Sequence, residues 1–235
     1  MSKNFPQIEV VDSAKLNISK FSAIAISITP KDDKPQISSK SLLKELNSKS
    51  GVDLLSEIKK WPDFTGKAGE IIEIPATLKK SGDFRIFLFG TGDARLEDVR
   101  KSAAALARKV KGAGLKIAVD YSGDKPSVTN FVMGLILASY IWNLKTPKKD
   151  EKGPSDFALI GKLSALKDGV AKGLTLATGV WQARDLIHTP SNIKNPKWLA
   201  EQATKIARSN KSGIKVEIKS GSQLKDFGGL RAVGN

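Results

Sequence analysis

The chain has 235 residues, of which 40% are apolar, 27% charged and 6% aromatic, the profile of a globular protein of one large or two ordinary domains. It has no cysteine, which excludes disulfides, thiolate metal sites and a cysteine nucleophile, and fits a reducing compartment. The net charge of +15 raises nucleic-acid binding, but the charge is diffuse: 13 Lys/Arg against 5 Asp/Glu over residues 157–235, and 26 against 19 over residues 1–156.

Met1 to Pro6 opens no signal-peptide apolar core, and the longest apolar run, Phe131 to Trp142, is shorter than the roughly 20 residues a membrane span needs. A cytoplasmic protein that makes no membrane contact is expected. Ala23 to Ile28 reads as a buried strand, and Pro30 to Ser39 as a polar turn region. Leu42 to Lys60 has helical periodicity broken at Ser50-Gly51. Glu70 to Ile74 and Phe84 to Phe89 read as strands, the second leading into Gly90-Thr91-Gly92. A helix follows with Leu96, Val99, Ala103, Leu106 and Val110 on one face. Glu97 and Asp98 at its start, and Arg108, Lys109 and Lys111 at its end, match the helix dipole. Leu115 to Val119 is the next strand, and Thr129 is placed as the cap of a buried helix running to Trp142.

Leu144 to Asp156, charged and carrying Pro and Gly, reads as a linker or long surface loop, and Phe157 to Ile160 as a last strand of the first domain. Leu166, Val170, Leu174, Ala177, Trp181 and Leu186 describe a helix that stops near Ile187, ahead of Pro190. Asn195 reads as an N-cap and Pro196 as the first residue of a further helix, with Leu199, Ala203 and Ile206 on its buried face. Ile214, Val216 and Ile218 alternate with Lys215, Glu217 and Lys219, the pattern of a half-exposed strand. Strands alternating with helices predict an α/β fold with a mostly parallel sheet.

Little in this pattern carries chemistry by itself. Gly90-Thr91-Gly92 sits where phosphate-binding loops sit, but it has no third glycine and no Gly-Lys-Ser/Thr. Asp93, Glu97 and Asp98 would also put negative charge there, so a plain turn is the preferred reading. His188 is the single histidine; with Asp185 three residues away and no marked nucleophile, it reads as a loop residue held by hydrogen bonds. Asp168, Asp185, Glu201, Glu217 and Asp226 are scattered along residues 157–235 with no metal-ligand spacing, and read as solvated surface charge. The basic residues form no arginine-rich run or basic-aromatic stripe, so a lysine-rich solvated surface is preferred, with nonspecific, salt-sensitive nucleic-acid contact as its corollary.

Ala183-Arg184-Asp185-Leu186-Ile187-His188-Thr189-Pro190-Ser191-Asn192, followed by Asn195-Pro196-Lys197-Trp198-Leu199-Ala200, closely resembles the segment that opens the catalytic domain of the leucyl (cytosol) aminopeptidases, a two-metal peptidase family. Phe227 to Gly234 resembles that family's later glycine-rich segment; Phe84 to Gly92 resembles its strand ending in Gly-Leu-Gly; Gly134 to Lys145, with Tyr140 in the tyrosine position, resembles its Gly-x-x-Leu-x-x-Tyr helix. His188 stands where the family usually has asparagine, and Arg231 where it often has an apolar residue.

The resemblance implies a macro-like N-terminal domain over 1–160, with its linker within 144–156, and the beginning of an α/β peptidase domain, incomplete, over 161–235. It implies metal-dependent release of N-terminal amino acids from peptides by a homo-oligomer, a hexamer. A metal-bound hydroxide attacks the scissile carbonyl in that reaction. The family's lysine and carboxylate ligands for two divalent ions, manganese or zinc, lie downstream of the glycine-rich segment. No residue of this chain is therefore assigned as catalytic, cofactor-binding or metal-binding, no cofactor is expected on it, and it is expected to be inactive alone. Residues 157–235 are expected to bury too little surface to be stable without support. The alternative is a non-catalytic macro-like binding protein, using the fold for a nucleotide, nucleic acid or oligomer contacts.

Overall fold

The computed structural model describes residues 5–32, 34–37, 39–78, 82–145, 152–209 and 213–233. They divide into two units, residues 1–184 and 185–235.

The first unit is built on a seven-stranded sheet. Its strands are β1 (Ile8–Val11), β2 (Ala23–Lys31), β3 (Lys34–Ile37), β4 (Ile71–Leu78), β5 (Gly82–Gly90), β6 (Lys116–Asp120) and β7 (Asp156–Ile160). The order is β1-β7-β6-β2-β5-β4, with β3 paired to β2. The pairs β1/β7, β7/β6, β6/β2 and β2/β5 are parallel; β5/β4 and β2/β3 are antiparallel. The expected α/β fold with a mostly parallel sheet is thus present.

The parallel strands are apolar on both faces, and their alternate residues feed two separate cores. Ala23, Ala25, Phe87, Phe89, Ile117, Val119, Phe157 and Leu159 face one; Ile24, Ile26, Ile28, Ile86, Leu88, Ala118 and Ala158 face the other. The first core is closed by α3 (Leu96–Lys109), α4 (Lys125–Ala138) and the first part of α5 (Leu163–His188), through Val99, Leu106, Phe131, Leu135, Val170 and Trp181. The second is closed by α1 (Lys40–Ser50) and α2 (Leu54–Lys59), through Leu42, Leu46, Leu54 and Ile58. The compact unit runs through Arg184 because Leu166, Val170, Ala177 and Trp181 bury into the first core.

Three boundaries differ from the sequence reading for identifiable reasons. β4 continues through Pro75 to Leu78. The Gly90 N–H donates to the Glu70 carbonyl at 2.9 Å, which puts the even-numbered residues of β4 in the hydrogen-bonded pairs. Pro75 falls on the outward side of this edge strand, where no donor is needed. The helix expected to begin at Thr129 begins at Lys125: Asp124 is the cap, its carboxylate accepting from the Ser127 N–H at 2.9 Å, with Pro126 in the first turn. That helix ends at Ala138, not Trp142, and Thr129 instead donates its hydroxyl to the Lys125 carbonyl at 2.8 Å. Residues 146–151 of the expected linker lie outside the described residues.

The second unit holds the end of α5, α6 (Pro196–Ser209), a single 3-10 turn at Gly221–Leu224 and α7 (Gly228–Val233). Asn195 caps α6 as expected, its side-chain oxygen accepting from the Trp198 N–H at 2.8 Å. The alternating residues Ile214, Val216 and Ile218 form no strand and are all exposed. Alternation supplies a sheet-ready face; no neighbouring strand meets it among the described residues. Leu199 and Ala203 are exposed rather than buried, and no residue of α6 is fully buried.

Candidate functional site

The sites named from sequence fall in three places. The first is the turn after β5. The Thr91 N–H and hydroxyl both donate to the Ile28 carbonyl, at 2.8 and 3.1 Å, and the Gly92 N–H donates to the Gly66 carbonyl at 3.0 Å. The Ala94 N–H donates to Thr91 at 3.3 Å. The Asp98 carboxylate accepts from Arg95 Nε at 2.8 Å, and the backbone N–H groups of Asp93 and Arg95 also bond to it. These bonds, led by the Arg95 side chain, hold the Asp98 pKa below its ordinary value against the opposing effect of burial. The backbone donors a phosphate would use are thus spent inside the protein, and a paired carboxylate occupies the start of α3. Gly90 is required for close approach: a Cβ there would lie 2.1 Å from the Lys67 carbonyl oxygen. The loop it touches is itself pinned, because Glu70 accepts from the N–H groups of Thr65, Gly66 and Lys67 at 2.8, 2.9 and 3.1 Å.

The second place is α4, which carries Gly134, and the segment just past its end, which carries Tyr140. Gly134 lets α4 press on α3; a Cβ would sit 2.5 Å from the Arg100 carbonyl oxygen. Tyr140 packs edge-on to Trp181 with ring centroids 4.8 Å apart, and the Arg184 guanidinium lies 5.4 Å over its ring. Arg184 also donates to the Leu137 carbonyl at 2.8 Å, and Lys111 donates to the Tyr140 carbonyl at 2.6 Å. One cation, Arg184, therefore finishes the carbonyl end of α4, and a second, Lys111, holds the segment just past it.

The third place is the turn from α5 to α6. The Thr189 N–H and hydroxyl donate to the Asp185 carbonyl at 3.1 and 2.7 Å, and the Lys194 ammonium donates to Ile187 at 3.0 Å. The Ile193 and Lys194 N–H groups both donate to Pro190, at 3.0 and 3.2 Å. This is a locally self-satisfied turn; His188, read from sequence as a loop residue, is instead the exposed last residue of α5.

The carboxylates considered as metal ligands are not brought together. Asp168 pairs loosely with Lys125 at 3.5 Å, and Glu217 with Lys219 at 3.6 Å; Glu201 and Asp226 are exposed. Among the described residues no group of three or more His, Asp or Glu is placed to hold an ion. The described residues therefore do not fit a two-metal centre.

One group not singled out from sequence is Asp120, at the carboxyl end of β6, where α/β sheets commonly bind ligands. Burial pushes its carboxyl pKa up, against a hydrogen bond from Ser39. Beside it the Tyr121 phenol stacks on Phe131 at 4.1 Å, and burial pushes it up to about 12. The sequence signal was slight: an acid closing a strand whose three middle residues are apolar.

The doubly covered sheet, with an antiparallel edge strand at one side, defines an α/β domain that known structures share. A mutant tomato leucine aminopeptidase superposes with a TM-score of 0.70 at 23% identity, covering 95% of this chain and 46% of that one. The bottromycin maturation enzyme BotP gives 0.63 at 17% identity, covering 88% and 41%. Residues 28–148 match the sequence profile of the cytosol aminopeptidase family, N-terminal domain, and the chain belongs to that family. A probable cytosol aminopeptidase of Methylorubrum populi is 28% identical over 193 residues, covering 78% of this chain and 38% of the relative. One from Microcystis aeruginosa is 34% identical over 178 residues, covering 70% and 35%. The chain thus spans under two fifths of the length of these curated relatives.

Proposed function

We propose that this chain is the N-terminal part of a cytosol aminopeptidase, an enzyme that releases N-terminal amino acids from peptides with two divalent ions, manganese or zinc. The observation that carries the reading is the family match over 28–148, joined to relatives that align with most of this chain but with less than two fifths of their own length. On this reading residues 1–160 are a macro-like domain that contributes to a homo-oligomer, a hexamer, and residues 161–235 begin the peptidase domain. The ions and the peptide are held by residues downstream of the glycine-rich segment Phe227 to Gly234. A cytoplasmic location agrees with the name of the relatives, and no helix among the described residues is long and apolar enough to cross a membrane.

The test is to read the coding DNA past the codon for Asn235 and to assay both lengths of polypeptide. The frame is expected to continue into a lysine- and aspartate-rich segment. The longer product should release leucine from leucyl peptides when manganese or zinc is added, and the chain of 235 residues should not. A stop codon directly after Asn235 would overturn the enzyme reading in favour of a non-catalytic binding protein.

A further inference from the structure

The strand β4 ends the sheet: it pairs with β5, and no strand lies beyond it among the described residues. Its even-numbered residues spend their backbone groups on β5, so the N–H and C=O of Ile71 and Glu73 and the C=O of Pro75 point away from the sheet. Pro75 brings no donor, which ends this free ladder after Glu73. Just past α2, Trp61 is 48% exposed and lines two clefts that follow one another along the strand. One cleft, of about 330 Å³, also takes in Val52, Ile74 and Pro75; the other, of about 480 Å³, takes in Pro62, Phe64 and Ile72.

The charge of the clefts runs against that of the chain. In a protein with 39 basic and 24 acidic residues, the clefts are lined by Glu57, Asp63, Glu70 and Glu73 against Lys60 alone. Glu57 is paired with Lys60 at 2.6 Å, and Glu73 with Arg85 and Lys109 at 2.6 and 3.3 Å. Among the described residues no cation pairs with Asp63 or Glu70. Asp63 is exposed, and Glu70 accepts from the backbone of the neighbouring loop, so the second cleft keeps two uncompensated carboxylates.

We propose that the outer edge of β4 takes up an extended peptide as an additional antiparallel strand, with two of its apolar side chains in the clefts beside Trp61 and a basic side chain at Asp63 and Glu70. Peptide residues opposite Ile71 and Glu73 exchange main-chain hydrogen bonds with them. Residues opposite Ile72 and Ile74 turn their side chains toward Trp61, about 7 Å apart, the spacing of positions i and i+2 in a strand. The residue opposite Glu70 lies on the same side and meets the carboxylates. Read from its N-terminus, the partner is therefore apolar-x-apolar-x-basic. The antiparallel direction gives the better hydrogen bonds, and Trp61 supplies the aromatic anchor. This binding needs neither a metal nor a free amino terminus, so it stands apart from the peptidase reaction.

The test is fluorescence anisotropy of the full 235-residue chain with the acetylated peptide Thr-Val-Thr-Val-Thr-Lys-Thr carrying a fluorophore on its carboxyl end. The parent should bind it saturably. Methylating the backbone nitrogens of the third and fifth residues, which face β4, should weaken binding at least about tenfold, whereas methylating those of the two valines, which face solvent, should stay within about threefold. Trp61→Ala should weaken binding at least about tenfold and Asp63→Lys about fivefold at low salt, while Leu55→Ala, at an exposed position outside the clefts, stays within about twofold. Far-UV circular dichroism confirms that each variant is folded. A parent that does not bind, equal losses for the two methylated peptides, or equal losses for Trp61→Ala and Leu55→Ala would overturn the proposal. So would a peptide with glutamate in place of lysine that binds as well. Self-association of the parent that Trp61→Ala abolishes would put a second copy of the chain on this edge, and would overturn it too.

Discussion

Gly90 and Asp120 show how one atom or one proton can be read as a stability term. A methyl group on Gly90 meets the backbone of one loop, the Lys67 carbonyl oxygen at 2.1 Å and the Gly66 carbonyl carbon at 2.5 Å, and backbone has no rotamer with which to yield. Gly90→Ala should therefore cost about 3 kcal/mol, the upper range for overpacking, measured as a lowered urea midpoint. Gly82→Ala is the comparison: it has open space around its Cβ but a φ of 72°, so it should cost only about 1 kcal/mol.

The titrating groups pull in opposite directions. Glu73 has its pKa lowered, first by the Arg85 hydrogen bond and also by Lys109, with burial opposing. Its contribution to stability is present above the ordinary carboxylate pKa of 4.5 and is lost as pH falls through its lower folded value. Asp120 has its pKa raised by burial, so ionisation penalises the folded state. Stability from this group increases as pH falls through the raised value and levels off below its ordinary value of 3.8. Asp120→Asn should raise the urea midpoint at pH about 7 and abolish that increase; Glu73→Gln should lower the midpoint at neutral pH. An Asp120→Asn midpoint unchanged at neutral pH would mean that the carboxyl is solvated.

At the scale of elements, what was legible in sequence was what is decided locally. The strand Phe84–Phe89 and the helix from Leu96 carry their own periodicity, and the cap at Asn195 carries its own chemistry. What was not legible depends on groups distant in the chain. The end of α4 is met by Arg184, 47 residues from the Leu137 carbonyl it reaches, and the segment just past it by Lys111, 29 residues from the Tyr140 carbonyl. The passage of β4 through Pro75 depends on its register with β5. The alternating residues 214–218 satisfy the local rule and still form no strand, because a strand is completed by its neighbour. The candidate site divides the same way: the turn at Gly90-Thr91-Gly92 was placed correctly, whereas the spending of its N–H groups on Ile28 and Gly66 shows only in three dimensions. Two substitutions separate local from distant control. Asn195→Ala removes a cap that nothing else supplies and should cost about 1 kcal/mol of α6 stability, read from amide exchange. Arg184→Gln should cost about 1 kcal/mol as well, but seen as faster exchange in the last turn of α4.

For the whole molecule, the distribution of burial sets where the chain opens first. The first unit owns both cores, and every fully buried apolar side chain among the described residues lies within it. The second unit keeps its helices by local hydrogen bonds while its large apolar residues face outward: Leu199 is 57% exposed, Leu230 61% and Val233 88%. Helices of this length are marginal in water without an apolar face to bury, and local opening costs least where few apolar contacts must be broken. Limited proteolysis of the 235-residue chain should therefore cut first beyond α5, within residues 189–235, and leave a resistant product containing the seven-stranded sheet. The same exposed residues should bind a hydrophobic dye in the intact chain, and the signal should fall once they are removed. Cleavage that began in β2 or β5, or resistance equal along the chain, would mean that residues 185–235 bury their apolar face in solution. In a longer cytosol aminopeptidase polypeptide, both the early cut and the dye signal should disappear, because that face would then meet the rest of the peptidase domain.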